Sequence, residues 1–385
     1  MSYAKELLER KQENGFDDCD KRVCSNCFCD KYINEIIETR NEYGTCSYCG
    51  DYTKTIELTD IFYIFKEYIS HNYQSIINYP SLEDEKTDID EIIYNIFSKI
   101  DSSHDALLYD FIESFDDRSY ISNEKLYMDD TFYQLKFGWD NYCDSIEKND
   151  LSVNEIVTQC INDTKTERIE EIDNTLSEIV NLIEKYNLVN TITKDTNIYR
   201  CVTYIDKVCD ISKLNAKSIG TAPSSKAATN RMSENGDEYF YGTLDINTSK
   251  IEAIDEGKCK TIGTFHPNND IQIIDINKIG TIDNPSVLDL AKSEKLLICS
   301  FLRYLSYEIS APVENDKDIK YKPTQVFAKY IQRKTDFKGI KYASSKNNEE
   351  SCVALFVKNK DCIDYDETVD SSKIQLIMSK NVCQE

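Results

Sequence analysis

Residues 185–204 read KYNLVNTITKDTNIYRCVTY, and the hydrophobic period changes inside them. Just before lies TERIEEIDNTLSEIVNLIEKY (166–186), where Ile169, Ile172, Leu176, Ile179, Val180 and Ile183 recur at spacings of three and four, the stripe of an amphipathic helix. The same period appears earlier in LTDIFYIFKEYI (58–69) and IDEIIYNIFSKI (89–100). Beyond the change come short runs rich in β-branched and aromatic residues: NIYRCVTY (197–204), EYFYGTLD (238–245), KTIGTF (260–265), IQIIDI (271–276), GIKYASS (339–345), SCVALFV (351–357) and KIQLIM (373–378). Helical patterns return only in PSVLDLAKSEKLLICSFLRYLSYEI (285–309) and TQVFAKYIQRK (324–334). The pattern predicts an α+β protein, with a mostly helical domain over residues 1–189 and an α+β domain over residues 190–385.

Charge divides the chain near the same point. Residues 1–190 hold 41 acidic and 18 basic residues, whereas residues 191–385 hold 28 and 27. Affinity for nucleic acid rests on Lys and Arg neutralising phosphates, so the acidic part is a poor nucleic-acid binder and its charge reads as a solvated surface. The near-neutral part suits an anionic small molecule. No apolar run approaches the roughly 20 residues that cross a bilayer, and the opening MSYAKELLERKQENG lacks the apolar core of a secretory signal. Fifteen cysteines, an odd number, then imply reduced thiols and a cytoplasmic location.

Four of those cysteines carry the sharpest spacing. CSNC places Cys24 and Cys27 in one turn, and CSYC places Cys46 and Cys49 in another after eighteen intervening residues. Two such knuckles suit four thiolates around one tetrahedral Zn²⁺, and four protein ligands leave no open position, so the expected role is structural. Gly50 follows the second pair and eases its turn. Cys19 and Cys29 lie close by and read as bystanders.

The second half lacks a phosphate-binding GxxxxGK loop, a GxGxxG turn, a GxSxG elbow and any His-rich metal motif. Its remaining polar signal lies in RMSENGDEYFYG (231–242) and TSKIEAID (248–255): Arg231 precedes Tyr241 by ten residues, and Tyr241 precedes Glu252 by eleven. At those intervals the three groups fit one pocket; taken singly, Tyr241 also fits core packing and Glu252 a solvated helix face. His71, His104 and His266 stand without triad or ligand partners in sequence, which argues against histidine chemistry.

NIYRCVTY, IGTAPSSKAATNRMSENGDEYFYGTLD, TSKIEAI and GIKYASS resemble, in that order, the signature blocks of the RES domain of bacterial NAD-consuming toxins, over about residues 195–360. The CSNCFCDKYI and CSYCG blocks look like the N-terminal domain of the HEPN/RES class. The resemblance implies a C-terminal domain similar to the ADP-ribosyltransferase fold. It matches Arg231, Tyr241, Glu252 and Ser344 to the catalytic set, and Arg200, Arg231 and Tyr241 to NAD⁺ binding. The implied function is cleavage of the nicotinamide–ribose bond of NAD⁺ with water or phosphate as acceptor. Transfer of ADP-ribose to a protein and a non-enzymatic zinc-bearing interaction protein are the alternatives. An antitoxin is the partner such toxins typically have. Ser233 departs from the asparagine usual in the arginine block, and Glu234–Asn235 from the usual Pro or Ala before Gly236. The arginine–histidine signature of HEPN ribonucleases is absent from the sequence.

Overall fold

The computed structural model describes residues 11–384 apart from 12, 101–104, 117, 124–130, 163, 205–213, 254–258, 312, 314–315, 345 and 348–349. Two compact units emerge, one of residues 1–135 and 283–301 and the other of residues 136–282 and 302–385. The change of secondary structure at 189/190 and the division into units at 135/136 are thus different boundaries, because the helices of residues 136–185 belong with the large sheet.

In the first unit, β1 (Arg22–Cys24), β2 (Tyr43–Thr45) and β3 (Tyr52–Glu57) form an antiparallel sheet in the order β1-β3-β2. Helix α1 (Lys31–Arg40) begins where the Asp30 carboxylate accepts the backbone N–H groups of Tyr32 and Ile33, at 3.0 Å each. It ends at Asn41, whose positive φ of 54° stops the turn. Helices α2 (Leu58–Asn72) and α3 (Ile89–Lys99) bury the faces their periodicity predicts, and α4 (Asp105–Ser114) adds buried Leu107 and Phe111. Phe62, Phe65 and Phe111 meet there, with Phe65 and Phe111 ring centres 4.5 Å apart. Leu288, far along the chain, completes that core. A second small sheet has the order β4-β6-β5, from β4 (Tyr73–Ser75), β5 (Thr87–Asp88) and β6 (Ser119–Ser122).

The second unit is built on a sheet that, among the described residues, has the order β14-β15-β10-β8-β9-β13-β12-β11-β7. Its strands are β7 (Val189–Ile192), β8 (Ile198–Tyr204), β9 (Phe240–Thr243), β10 (Cys259–Pro267), β11 (Ile271–Asp275), β12 (Gly339–Ala343), β13 (Ser351–Leu355), β14 (Cys362–Asp364) and β15 (Leu376–Gln384). Among the described residues, only β11–β12 and β14–β15 pair in parallel. Ile198, Phe240, Phe265, Val353 and Leu355 bury one face around the short helix α8 (Ala216–Ile219). Four further helices carry the polar connections used below: α5 (Thr131–Glu147), α6 (Val153–Ile161), α7 (Glu167–Lys185) and, after β9, the seven-residue α9 (Ile246–Glu252). Later come α10 (Ser293–Ser310), α11 (Lys317–Lys320) and α12 (Lys322–Lys334). The Tyr142 hydroxyl of α5 donates to the Pro323 carbonyl at 2.6 Å, and that of Tyr330 on α12 to Asp173 of α7 at 2.8 Å, so these helices are tied by satisfied buried groups. No helix among the described residues is long and apolar enough to cross a membrane.

Candidate active site and candidate metal centre

Strands β8 and β9 meet at one register pair, Tyr199 with Thr243. On its other side β9 pairs fully with β13, and β13 with β12, which sets Tyr199, Thr243, Cys352 and Tyr342 side by side across four strands. Residues in register share a face, so this row forms a floor, and Tyr241, two residues before Thr243, joins it. A cleft of about 600 Å³ stands on that floor. Arg200, Arg231, Tyr241 and Glu252 all line it, and Ser344 reaches it through Glu252.

Arg200 arrives by an unexpected route. Alternation along β8 puts it on the face opposite Tyr199 and Cys201, and its guanidinium lies 5.5 Å from the ring of Phe240. Where β8 and β9 part, its Nη1 donates to the Tyr241 carbonyl at 2.7 Å, an acceptor that a fully paired ladder would have used. Nε is buried with no hydrogen-bond partner, and burial depresses the guanidinium's pKa from its ordinary value. No carboxylate pairs with Arg200 among the described residues.

Arg231 sits on a tight turn between Asn230 and Ser233, whose backbones bond each other in both directions. Gln325 of α12 donates to the carbonyls of Asn230 and Ser233 at 2.8 and 3.1 Å, and the Thr324 hydroxyl donates to that of Arg231 at 2.5 Å. The Tyr241 hydroxyl grips the turn from the other side, accepting the Met232 N–H at 3.2 Å and bonding the Ser233 hydroxyl at 2.8 Å. Ser233 therefore has a definite job in this chain. Burial raises the Tyr241 pKa well above its usual value, so the hydroxyl stays protonated. The Arg231 Nη1 donates to the carbonyls of Ile309 and Ala311 at 2.8 and 2.6 Å, where a cation favours the negative end of α10. With Nη1 committed, only its remaining donors are open to a ligand. Its plane lies 5.2 Å from the Tyr321 ring and 6.0 Å from that of Tyr342.

Glu252 ends α9, which starts three residues after β9 with Asp245 accepting the Thr248 N–H at 2.7 Å. The interval of eleven from Tyr241 to Glu252 is thus a strand end, a cap and two helical turns. The loop after β12 holds the carboxylate: the Ser344 hydroxyl donates to Oε1 at 2.5 Å, and the Lys346 ammonium to the Glu252 carbonyl at 2.8 Å. Asn347 pins that loop to α9 through Thr248 at 3.0 Å. Ser344 is 1% exposed and its oxygen accepts the N–H groups of Lys346 and Asn347 at 3.2 and 3.0 Å. Its one donor and both acceptor sites are occupied. Ser344 is placed to hold Glu252 rather than to touch a ligand.

Tyr321 and Tyr342 were not singled out by sequence reasoning, although both line the cleft. Tyr342 lies two residues before Ser344, and period-two alternation could have assigned it to the same face. Tyr321 sits at the start of α12 and carries no local signal. His266 lies near the end of β10 with Nδ1 3.4 Å from its neighbour's carbonyl, outside the cleft lining.

In the first unit Cys24, Cys27, Cys46 and Cys49 converge, their sulfurs all within 4.8 Å of one another. Cys24 and Cys49 sulfurs are 3.7 Å apart, as are those of Cys27 and Cys46. A tetrahedral ion with metal–sulfur bonds of about 2.3 Å needs sulfur–sulfur edges of about 3.8 Å, so the donor set fits one metal. The knuckles are fixed by backbone bonds, from Cys27 N–H to the Cys24 carbonyl at 3.1 Å and from Gly50 N–H to the Cys46 carbonyl at 2.9 Å. Gly50 has φ of +80°, which a side chain would strain. Cys19 and Cys29 stand outside the four.

Two family models match separate parts of the chain. The family model for HEPN/RES N-terminal domain 1 matches residues 39–151, and that for the RES domain matches residues 207–377. No curated protein matches the chain. The chain belongs to the HEPN/RES class, an HEPN/RES N-terminal domain followed by a RES domain.

Proposed function

We propose that the cleft binds NAD⁺ and cleaves its nicotinamide–ribose bond, making the protein an NAD⁺ glycohydrolase or phosphorylase of bacterial toxin type. One observation carries the reading: two arginines and one carboxylate line a single cleft, and neither arginine has a carboxylate partner among the described residues. A buried cation without a counter-ion is costly, and a pyrophosphate supplies two anionic groups for two guanidinium forks. The Nε of Arg200 has no partner within the protein, which leaves its charge uncompensated.

Each residue has a distinct task. Arg200 and the free donors of Arg231 hold the pyrophosphate. Tyr241 fixes the turn bearing Arg231, and its ring with those of Tyr342 and Tyr321 offers faces to the flat parts of the dinucleotide. Glu252 stabilises positive charge at the ribose carbon as the C1′–N bond breaks; the bonding pair leaves with neutral nicotinamide, and the acceptor attacks C1′ and loses its proton to solvent. Ser344 keeps the carboxylate in place. The four cysteines hold a structural Zn²⁺ that closes the knuckle fold and takes no part in the reaction. Growth arrest through NAD⁺ loss, relieved by an antitoxin, is the matching cellular role.

Purified protein is incubated with NAD⁺, with and without phosphate, and released nicotinamide and the ribose product are resolved by chromatography. Nicotinamide with ADP-ribose or its 1″-phosphate is the expected result. A labelled protein band would move the reading to ADP-ribosyl transfer, and intact NAD⁺ in all arms would overturn it.

A further inference from the structure

The carboxylate of Glu252 is held asymmetrically. Oε1 takes the Ser344 hydroxyl at 2.5 Å and a second donor, the thiol of Cys352, at 3.5 Å. Among the described residues Oε2 has no hydrogen-bond partner, and Glu252 lines the cleft. Cys352 lies on β13 beside Tyr342 and Thr243, 8% exposed and with its side chain on the cleft floor. It belongs to none of the blocks that carry the family resemblance and is not one of the metal cysteines.

We propose that Cys352 is a positioning residue which, with Ser344, commits Oε1 of Glu252 to the protein and leaves Oε2 as the oxygen that faces the reacting ribose. The assignment rests on the NAD⁺ reading for its substrate and on the structure for its geometry. At 3.5 Å the thiol is within the usual reach of a sulfur donor, so it caps Oε1 from the floor without drawing the carboxylate out of the cleft. Burial, and next the Glu252 charge, push the Cys352 thiol up to about 12, so it remains an S–H donor at working pH and does not compete as a nucleophile. An oxygen already carrying two donors has its lone pairs directed at them. Oε2 is then the oxygen whose lone pairs stay open to a developing cation, in a fixed rotamer.

Two independent measurements test this. In the first, NAD⁺ cleavage is measured for the parent, Cys352→Ala and Cys352→Ser, each checked for parental folding by circular dichroism. Cys352→Ala should lower kcat by about 5- to 10-fold with KM within about twofold, since the contact orients a group used in the transition state; Cys352→Ser should recover most of the loss. A change confined to KM, or parental kcat in Cys352→Ala, would overturn the positioning role. In the second, labelling of Cys352 by methyl methanethiosulfonate at pH 8.5 is followed by peptide mass spectrometry in the parent and in Glu252→Gln. Removing the neighbouring anion should speed labelling by about threefold or more, because the thiolate forms more readily. The pH is raised in steps until both proteins label, and equal rates in parent and variant would overturn the contact. This arm needs no turnover, so a parent that leaves NAD⁺ intact defeats the NAD⁺ reading while the Cys352–Glu252 pair is still decided.

Discussion

Replacing Glu252 with glutamine removes one charge and almost no volume. The amide oxygen can still accept the Ser344 hydroxyl that Oε1 now accepts at 2.5 Å, and the Lys346 bond goes to the backbone carbonyl, so the loop after β12 keeps its anchor points. What is lost is electrostatic. A unit positive charge about 4 Å from a carboxylate gains about 4 kcal/mol at an effective dielectric of 20. Part of that gain already exists in the ground state, because the nicotinamide ring is cationic before the bond breaks. Only the movement of charge from ring to ribose counts toward rate, which leaves about 2–3 kcal/mol, or about 100-fold in kcat. The assay is nicotinamide release under saturating NAD⁺, with ADP-ribose affinity measured alongside by calorimetry. Affinity should change by less than about threefold. A folded Glu252→Gln protein with kcat within tenfold of the parent, or one impaired only in binding, would refute the assignment of Glu252 as the charge stabiliser.

Arg200→Ala should weaken ADP-ribose binding by about 10-fold or more while leaving thermal stability equal or higher, because the side chain brings a buried charge and an unpaired Nε that only a ligand satisfies; unchanged affinity measured by calorimetry would count against the pyrophosphate site. Tyr241→Phe removes the hydroxyl that ties Met232 and Ser233, so the Arg231 turn loosens and KM should rise by about 3- to 10-fold; a parental KM would show that α12 alone holds the turn. Elemental analysis of protein purified without chelator should find about one zinc per chain, and Cys46→Ser should lose it and unfold at lower temperature, since a tetrathiolate site contributes about 10 kcal/mol or more to folding; metal-free protein with the parent's melting curve would exclude the centre. Burial holds the hydroxyls of Tyr142, Tyr239 and Tyr342 well above the ordinary tyrosine range. Above about pH 10 the unfolded chain releases those protons and the folded one retains them, so stability falls as pH rises, by about 1.4 kcal/mol per pH unit for each such group. A melting temperature unchanged between pH 9.5 and 11 would contradict that burial.

The structure separates what one-dimensional pattern can carry from what it cannot. Helix α7 was legible because Ile169, Ile172, Leu176, Ile179 and Ile183 are all buried, and a 3.6-residue stripe needs no partner to be seen. The cysteine knuckles were legible because each pair is local and only one distance had to be bridged. Sheet order was not, since β9 lies between β8 and β13, and strands more than a hundred residues apart in sequence become neighbours without any local mark. The grouping of residues 283–301 with the first unit escaped for the same reason.

Arg200 shows why the cleft itself lay beyond the sequence. Alternation on β8 sends this arginine toward Phe240, on the face whose neighbours Ile198 and Phe265 are buried, and by that rule alone it would be a misplaced charge in a core. It becomes a cleft residue only because β8 and β9 stay together for one pair and then part. The Tyr241 carbonyl released by that parting is what its guanidinium grasps. The same tyrosine clasps the Arg231 turn through its hydroxyl, so a single residue of β9 sets the positions of both cations, by its backbone for one and its side chain for the other. Glu252 is fixed from β12 and β13 on the opposite side, through Ser344 and Cys352. The proposed site therefore depends on a gap in a hydrogen-bond ladder, and closing that gap would return Arg200 to the core and remove its place in the cleft while leaving every residue of the sequence pattern in place.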